Sequence, residues 1–300
     1  MKTLFALLGP TGVGKTGLSL SLAEFLHSPV VSADSRQVYR DIPIGTAAPT
    51  ADEQARVHHY FIGTLALTDD YSAARYEEDA LRVLNDEFNR HDHLLLCGGS
   101  MLYIDALCHG IDDMPPVDPA LRERLRQRLD SEGLPALVQQ LQELDPVWHA
   151  RVDRRNPRRV VHALELCIQT GKPYSTLLGQ KRKRPFRVIK IGLYRDREDL
   201  YRRIDQRVDQ MLADGLVDEA RRVYPLRHLN ALQTVGYREL FAHFDGQSTL
   251  QEAVRLIRHN TRVYARKQQN WFGHDAAIVW FHADQAQAIR RFVADQAQPD

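Results

Sequence analysis

Apolar positions along this chain follow two alternating patterns. Short continuous apolar runs at residues 4–8, 29–33, 93–97 and 186–194 read as buried strands, and residues 58–62 and 276–281 as two more, the first a short edge strand. Between them, apolar residues recur at helical spacing over residues 18–26, 73–88, 197–213 and 250–271. Ser72 stands where the 73–88 helix needs an N-cap, and residues 44–49 read as a loop. Strands alternating with amphipathic helices predict an α/β fold, a parallel sheet flanked by helices. The middle of the chain breaks that rhythm. Residues 121–129, 134–144 and 160–168 are helical in pattern with no strand among them. Met114-Pro115-Pro116 opens this stretch and Lys181-Arg182-Lys183-Arg184-Pro185 closes it. Two domains are therefore expected: a core of residues 1–115 and 185–300, and an inserted all-helical subdomain of residues 116–184.

Composition changes the picture only in its distribution. The 300 residues, 43% hydrophobic, suffice for a substantial core, and 40 basic against 39 acidic residues predict no polyanionic partner. Residues 151–190, however, hold twelve Lys or Arg and two acids, a local +10 set against −9 for the remainder. Such segregation puts a positive field on one part of a neutral protein, as nucleic-acid binders often do. The Arg154, Arg155, Arg158 and Arg159 cluster and the 181–184 run are its densest parts. Three cysteines, Cys97, Cys108 and Cys167, have no metal-type spacing, so a reducing compartment and no zinc site are expected. The N-terminus enters a strand directly and no apolar run approaches the ~20 residues of a bilayer span, so a cytoplasmic protein with no membrane partner is expected.

The chemistry begins after the first strand. Gly9-Pro10-Thr11-Gly12-Val13-Gly14-Lys15-Thr16 has the spacing G-x-x-x-x-G-K-[ST] between strand and helix, the order of a phosphate-cradling P-loop. Gly9, Gly12 and Gly14 let the backbone aim N–H groups at an anion, and Thr11 lies in the same loop. Lys15 adds a point charge, and Thr16 a hydroxyl for Mg²⁺. In a doubly wound sheet, residues just past the carboxyl ends of strands line the ligand crevice, which places Asp34, Ser35 and Gln37 on the same edge. The strand at 93–97 ends in Gly98-Gly99-Ser100, where a P-loop ATPase usually carries an acid for Mg²⁺. Asp34 can fill that role instead. The residue types leave open which phosphate compound is bound.

The sequence GPTGVGKT, then SADSRQVYRDIPIGTAAP, YSAARYEEDA, GGSMLY, DPVWHARVDRRNPRRVVHALE with TGKPYS, RRIDQRVDQML, VGYRE and TRVYARKQQNWF resembles, block by block and in register, the bacterial tRNA dimethylallyltransferase (isopentenyltransferase) family. The resemblance covers nearly the whole chain. It implies a P-loop NTPase-like core and transfer of a dimethylallyl group from dimethylallyl diphosphate to the exocyclic amine of the adenosine beside the anticodon of tRNA, with diphosphate leaving. It also implies roles: Asp34 as general base, Arg207 as a second diphosphate clamp, Gln37 as reader of the adenine edge, and Ser100 as a substrate contact. Lys15 and a Mg²⁺ on Thr16 would absorb the charge of the leaving group. The helical insertion and its arginines would grip an anticodon stem-loop by its phosphates, and a monomer is expected.

Some positions depart from the family. Ser100 stands where most members carry Thr, Ala48 replaces a lysine before Pro49, Val13 replaces the usual Ser, and the C-terminal zinc finger of eukaryotic members is missing. Two rival activities share parts of the pattern: adenylate isopentenyltransfer to free nucleotides, and phosphorylation of a small molecule by a P-loop kinase. The insertion and its basic cluster disfavour the first, and the missing acid after Leu96 disfavours the second. Arg203 is expected on a solvated helix face, His58 and His59 in packing, and Tyr264 and Trp271 at least as readily in the core as on a base.

Overall fold

The computed structural model describes residues 1–110, 112, 114–179 and 182–298. The chain divides into two compact units, Met1–Cys108 with Arg184–Asp300, and His109–Lys183. In the first unit the order is β1 (Thr3–Leu8), α1 (Lys15–Leu26), β2 (Val30–Ala33), α2 (Pro43–Thr46), α3 (Ala51–Arg56), β3 (His59–Tyr60), α4 (Ala73–Glu87), β4 (His93–Gly98) and α5 (Met101–His109). The inserted unit holds α6 (Pro119–Glu132), α7 (Leu134–Leu144), α8 (Pro146–Arg151) and α9 (Pro157–Thr170). The first unit then resumes with β5 (Arg187–Tyr194), α10 (Arg197–Ala213), α11 (Leu216–Val223), α12 (Tyr237–Phe244), α13 (Leu250–Gly273), β6 (Ile278–His282) and α14 (Ala286–Ala297).

The sheet is six-stranded in the order β3-β2-β4-β1-β5-β6, and every pairing is parallel. Every residue of β1 is buried, as a strand with both faces covered must be. Because side chains alternate across a strand, Leu4, Ala6 and Leu8 enter one core with α4 and α5, while Phe5 and Leu7 enter the opposite core with α1. β4 lies between β1 and β2, and Gly98 allows it: a Cβ there would overlap the Ala33 carbonyl and side chain. The carboxyl ends of β1, β2 and β4 are thereby brought side by side.

Helix ends show where the chain is closed and where it is open. Ser72 caps α4, its hydroxyl accepting from the Arg75 amide at 3.2 Å. Thr50 and Glu53 form a capping box on α3, and Thr249 caps α13. Helix α1 begins at Gly14, at φ 108°, with no side-chain cap and no acid in the first turn, as α7 does at Gly133.

Several expectations are corrected. Residues 43–46 are not loop but the short helix α2, started by Pro43 at its first position. Helix α8 has too few residues for a periodic signal; Asp145 caps it and also accepts from the Ser175 amide at 2.6 Å and its hydroxyl at 2.8 Å. Helix α14, not read from the sequence pattern, follows β6 and buries Ile289 and Val293 against the sheet. The inserted unit has its own apolar core, centred on Leu137, Leu141, Val160 and Leu164. Cys97, Cys108 and Cys167 are free thiols.

Candidate active site

A pocket of about 720 Å³ lies over the carboxyl ends of β1, β2 and β4 and is walled on its other sides by α10, α11 and α13. Thr11, Gly12, Gly14, Lys15, Thr16, Asp34, Ser35, Gln37, Ser100 and Arg207 all line it. Gly9 does not. A Cβ at Gly9 would come within 2.9 Å of the Leu193 carbonyl, so this glycine serves close packing of β1 on β5 rather than ligand contact. Arg154, Arg155, Arg158 and Arg159 belong to the inserted unit, in the turn before α9 and in its first turn, and all four are exposed. Arg154, Arg158 and Arg159 form no ion pair with any described residue, and Arg155 reaches Asp153 only at 3.7 Å. Lys181, in the second basic run, lies outside the described residues.

The cradle is braced from several sides. Lys15 Nζ donates to the carbonyls of Gly9 and Pro10, both at 2.9 Å. Burial pulls its pKa down from the ordinary lysine value to about 8, Arg207 adding to the effect while Cys97 and Asp34 oppose it. Arg203 Nε donates to the Gly12 carbonyl at 3.0 Å, and Arg195 Nε to the Val13 carbonyl at 2.9 Å. The sequence predicts Arg203 on a solvated helix face. Instead it lines the pocket, while Asp199 pairs with Arg195 and Arg202, and Asp205 with Arg262. The spacing explains this: Leu200, Ile204 and Val208 are buried every fourth residue, and Arg203 and Arg207 each precede one of them. The Thr11 amide, expected to face phosphate, donates to Gln268 Oε1 at 2.9 Å.

On the neighbouring loop, Asp34 Oδ1 accepts from the amides of Arg36 at 2.9 Å and Gln37 at 3.3 Å, while Oδ2 has no partner among the described residues. Ser100 Oγ accepts from the Ser35 amide at 2.8 Å and donates to the Ser35 hydroxyl at 3.2 Å. Its hydroxyl thus fixes the Asp34 loop rather than pointing free. Gln37 Nε2 donates to the carbonyls of Thr46 at 3.2 Å and Ala47 at 3.0 Å. Both Nε2 hydrogens are thereby engaged, and Gln37 offers the pocket its Oε1 acceptor. Arg207 also donates to the Thr46 carbonyl, at 3.3 Å, and burial pulls its pKa below the usual arginine value while Asp34 opposes the shift. This shared loop is held by the fully buried Glu219, which accepts from Ile44 N at 2.9 Å, Gly45 N at 2.8 Å and the Tyr237 hydroxyl at 2.6 Å.

Sequence reading missed Arg203, Gln268 and Glu219, and left Tyr264 undecided. The i, i+4 spacing of Arg203 and Arg207 was a usable signal for the first. Nothing marks Gln268 on an arginine-rich helix. Tyr264 lines the pocket, its hydroxyl pushed up to about 12 by burial and by Asp34. Trp271 donates from Nε1 to Asp105 at 2.9 Å, and His59 Nδ1 is 2.7 Å from the Val57 carbonyl, so both are held by neighbours.

A helix N-terminus without a side-chain cap, a lysine and two arginines converging with a carboxylate at the carboxyl edge of a parallel sheet define an α/β protein of the P-loop type. The model of the IPP transferase family matches residues 37–275. The chain is 54% identical over 297 residues to tRNA dimethylallyltransferase 2 of Parabacteroides distasonis, covering 99% of each. It is 56% identical over 292 residues to tRNA dimethylallyltransferase 1 of Phocaeicola vulgatus, covering 97% of each. The crystal structure of the tRNA isopentenylpyrophosphate transferase of Bacillus halodurans superposes with a TM-score of 0.74 at 35% identity, over 99% of this chain and 97% of that one. A eukaryotic dimethylallyltransferase acting on tRNA gives 0.83 at 26% identity, over 98% and 78%. The chain belongs to the IPP transferase family.

Proposed function

We propose that this protein is a tRNA dimethylallyltransferase: it moves the dimethylallyl group of dimethylallyl diphosphate onto the exocyclic amine of the adenosine beside the anticodon. The observation that carries the reading is that one cavity is lined both by the start of α1, with Lys15, Arg203 and Arg207, and by Asp34, whose Oδ2 has no partner among the described residues. A phosphate cradle and a proton acceptor in one cavity fit group transfer with diphosphate as the leaving group. Gly98 and Gly99 stand where a kinase would carry its acid for Mg²⁺.

In the reaction the bond between the allylic carbon and the diphosphate oxygen breaks, its electron pair leaving on oxygen. The bond from the adenine nitrogen to that carbon forms, and the proton of the amine passes to Asp34 Oδ2. The first N–H groups of α1, Lys15 and Arg207 stabilise the charge that grows on the leaving group. An adenine amine is a weak nucleophile because its lone pair is delocalised, so a positioned base is worth roughly 10²-fold or more. Thr16 Oγ1 has no partner among the described residues, and no cluster of three or more metal-ligating side chains occurs among them. A single hydroxyl suits Mg²⁺, which keeps several waters and takes its remaining ligands from phosphate. Bound there, it would neutralise part of the diphosphate charge.

The RNA substrate follows from access. A stacked base cannot present its amine to a closed pocket, whereas a loop base can be splayed into one. The exposed arginines around the start of α9 suit the phosphates of an anticodon stem-loop. Incubation with Mg²⁺ and labelled dimethylallyl diphosphate, offering unmodified tRNA or AMP, tests the reading, with ATP supplied separately. Label in tRNA is expected. Label only in AMP, or phosphorylation by ATP, would overturn it.

A further inference from the structure

The mechanism above uses the P-loop and the Asp34 loop but not what holds them apart. One side chain lies between them. Gln268, on α13 and only 3% exposed, accepts from the Thr11 amide at 2.9 Å and donates from Nε2 to the Gly99 carbonyl at 2.8 Å. A Cβ at Gly99 would overlap Gln268 Nε2 and lie 3.3 Å from the Gly9 carbonyl, so the β1 and β4 turns close tightly around this amide. The chain of contacts continues from there. Ser100, next to Gly99, donates its own amide to the Ala33 carbonyl at 3.1 Å and receives the Ser35 amide on its hydroxyl at 2.8 Å. Asp34 sits between Ala33 and Ser35.

The amide is chemically suited to the place. The P-loop presents a donor and the Gly99 turn an acceptor, so the bridge needs one acceptor and one donor at the end of one side chain. An apolar residue would leave both backbone groups buried and unpaired, and a carboxylate would face the Gly99 carbonyl oxygen with another acceptor. Asn is one methylene short of spanning the same gap.

We infer that Gln268 is a positioning residue, setting the distance between the diphosphate cradle and the Asp34 loop. The inference rests on the transferase reading. Displacement at the allylic carbon needs the incoming nitrogen and the departing oxygen on opposite sides of it, and a misplacement of about 1 Å costs roughly 10²-fold in rate. Gln268 touches neither group; it fixes the frames that do.

The test compares wild type with Gln268→Glu and Gln268→Met in single-turnover transfer to tRNA from pH 5 to 8, with dimethylallyl diphosphate binding measured beside it. Gln268→Met should lower kcat by roughly 10²-fold at every pH, with the Kd for dimethylallyl diphosphate changed no more than about 3-fold. Gln268→Glu should be equally slow at pH 8. As pH falls, its rate relative to wild type should rise, because a protonated carboxyl supplies the O–H donor and carbonyl acceptor that the amide did. Lys15, Asp34, Cys97, Arg203, Arg207 and Tyr264 also line this pocket. Taking the ratio to wild type cancels their common titration. A packing role alone would leave kcat of the folded Gln268→Met variant near the wild-type value. A flat ratio, or wild-type kcat in either variant, overturns the inference. If Gln268→Met does not fold by thermal melt, the Glu ratio still decides. Absence of transfer by wild type would refute the parent reading alone; the bridge would then be judged by Thr11 amide exchange, expected to quicken in Gln268→Met and, if unchanged, refuting it.

Discussion

Raising the pH should loosen the grip on the diphosphate through one side chain. Burial holds Lys15 at about 8, well below its ordinary value, because the pocket supplies little solvation for an unpaired ammonium. A diphosphate at the α1 N-terminus restores that charge, so Lys15 in the complex is protonated across the whole neutral and mildly alkaline range. Below pH 8 the free protein already carries the proton. Above it, each bound ligand must bring one. The protonated fraction of the free protein falls from about three-quarters at pH 7.5 to about 3% at pH 9.5, so the apparent Kd for dimethylallyl diphosphate should rise about 25-fold. That corresponds to about 1.9 kcal/mol. Titration calorimetry without tRNA, in two buffers of different ionisation enthalpy, measures both quantities; proton uptake should grow from about 0.2 to about 1.0 per ligand. Burial pushes the Cys97 thiol up and Tyr264 lies at about 12, which leaves Lys15 as the main proton site in this window. Lys15→Arg carries a charge that does not titrate there and should show a flat profile. A wild-type Kd that is flat from pH 7.5 to 9.5, or an equal slope in Lys15→Arg, would refute the assignment.

Three further outcomes are expected. Asp34→Asn keeps the Oδ1 acceptor that orders the Arg36 and Gln37 amides but cannot take a proton, so kcat should fall roughly 10²-fold or more with tRNA affinity changed less than about 3-fold. Wild-type turnover in a filter-binding and transfer assay would remove Asp34 from the mechanism. Glu219→Ala strands two backbone amides and the Tyr237 hydroxyl in the core and should cost about 3 kcal/mol in urea unfolding; a loss under about 1 kcal/mol would show that the loop is held otherwise. Replacing Arg154, Arg155 and Arg158 together by Glu should weaken tRNA binding and flatten its dependence on salt, while dimethylallyl diphosphate binding stays as in wild type. Unchanged affinity and slope would remove this cluster from the RNA contact.

The strand–loop–helix at the start of the chain, the parallel sheet and the helical character of the insertion follow from local pattern. A buried strand must be continuously apolar, a P-loop must have glycines and Lys-Thr at set spacing, and both constraints act within about ten residues. The same locality explains α10, whose span of Arg197–Ala213 agrees with the periodicity of its apolar residues. Asp34 was legible because the end of a strand beside the P-loop is a small set of positions.

What the sequence left open depends on partners far apart in the chain. Gln268 meets Thr11 across 257 residues and Gly99 across 169. Glu219 meets Ile44 across 175. No periodicity encodes such pairs, because a glutamine or glutamate on an amphipathic helix reads the same whether it faces water or a buried amide. Arg203 is the same case: a helix face is solvent or pocket according to what packs opposite, and only α1 and the P-loop beside α10 decide it. Lys15 carries the same lesson. Its position in the motif marked it for phosphate, but the fall of its pKa to about 8 is a property of the cavity that closes around it.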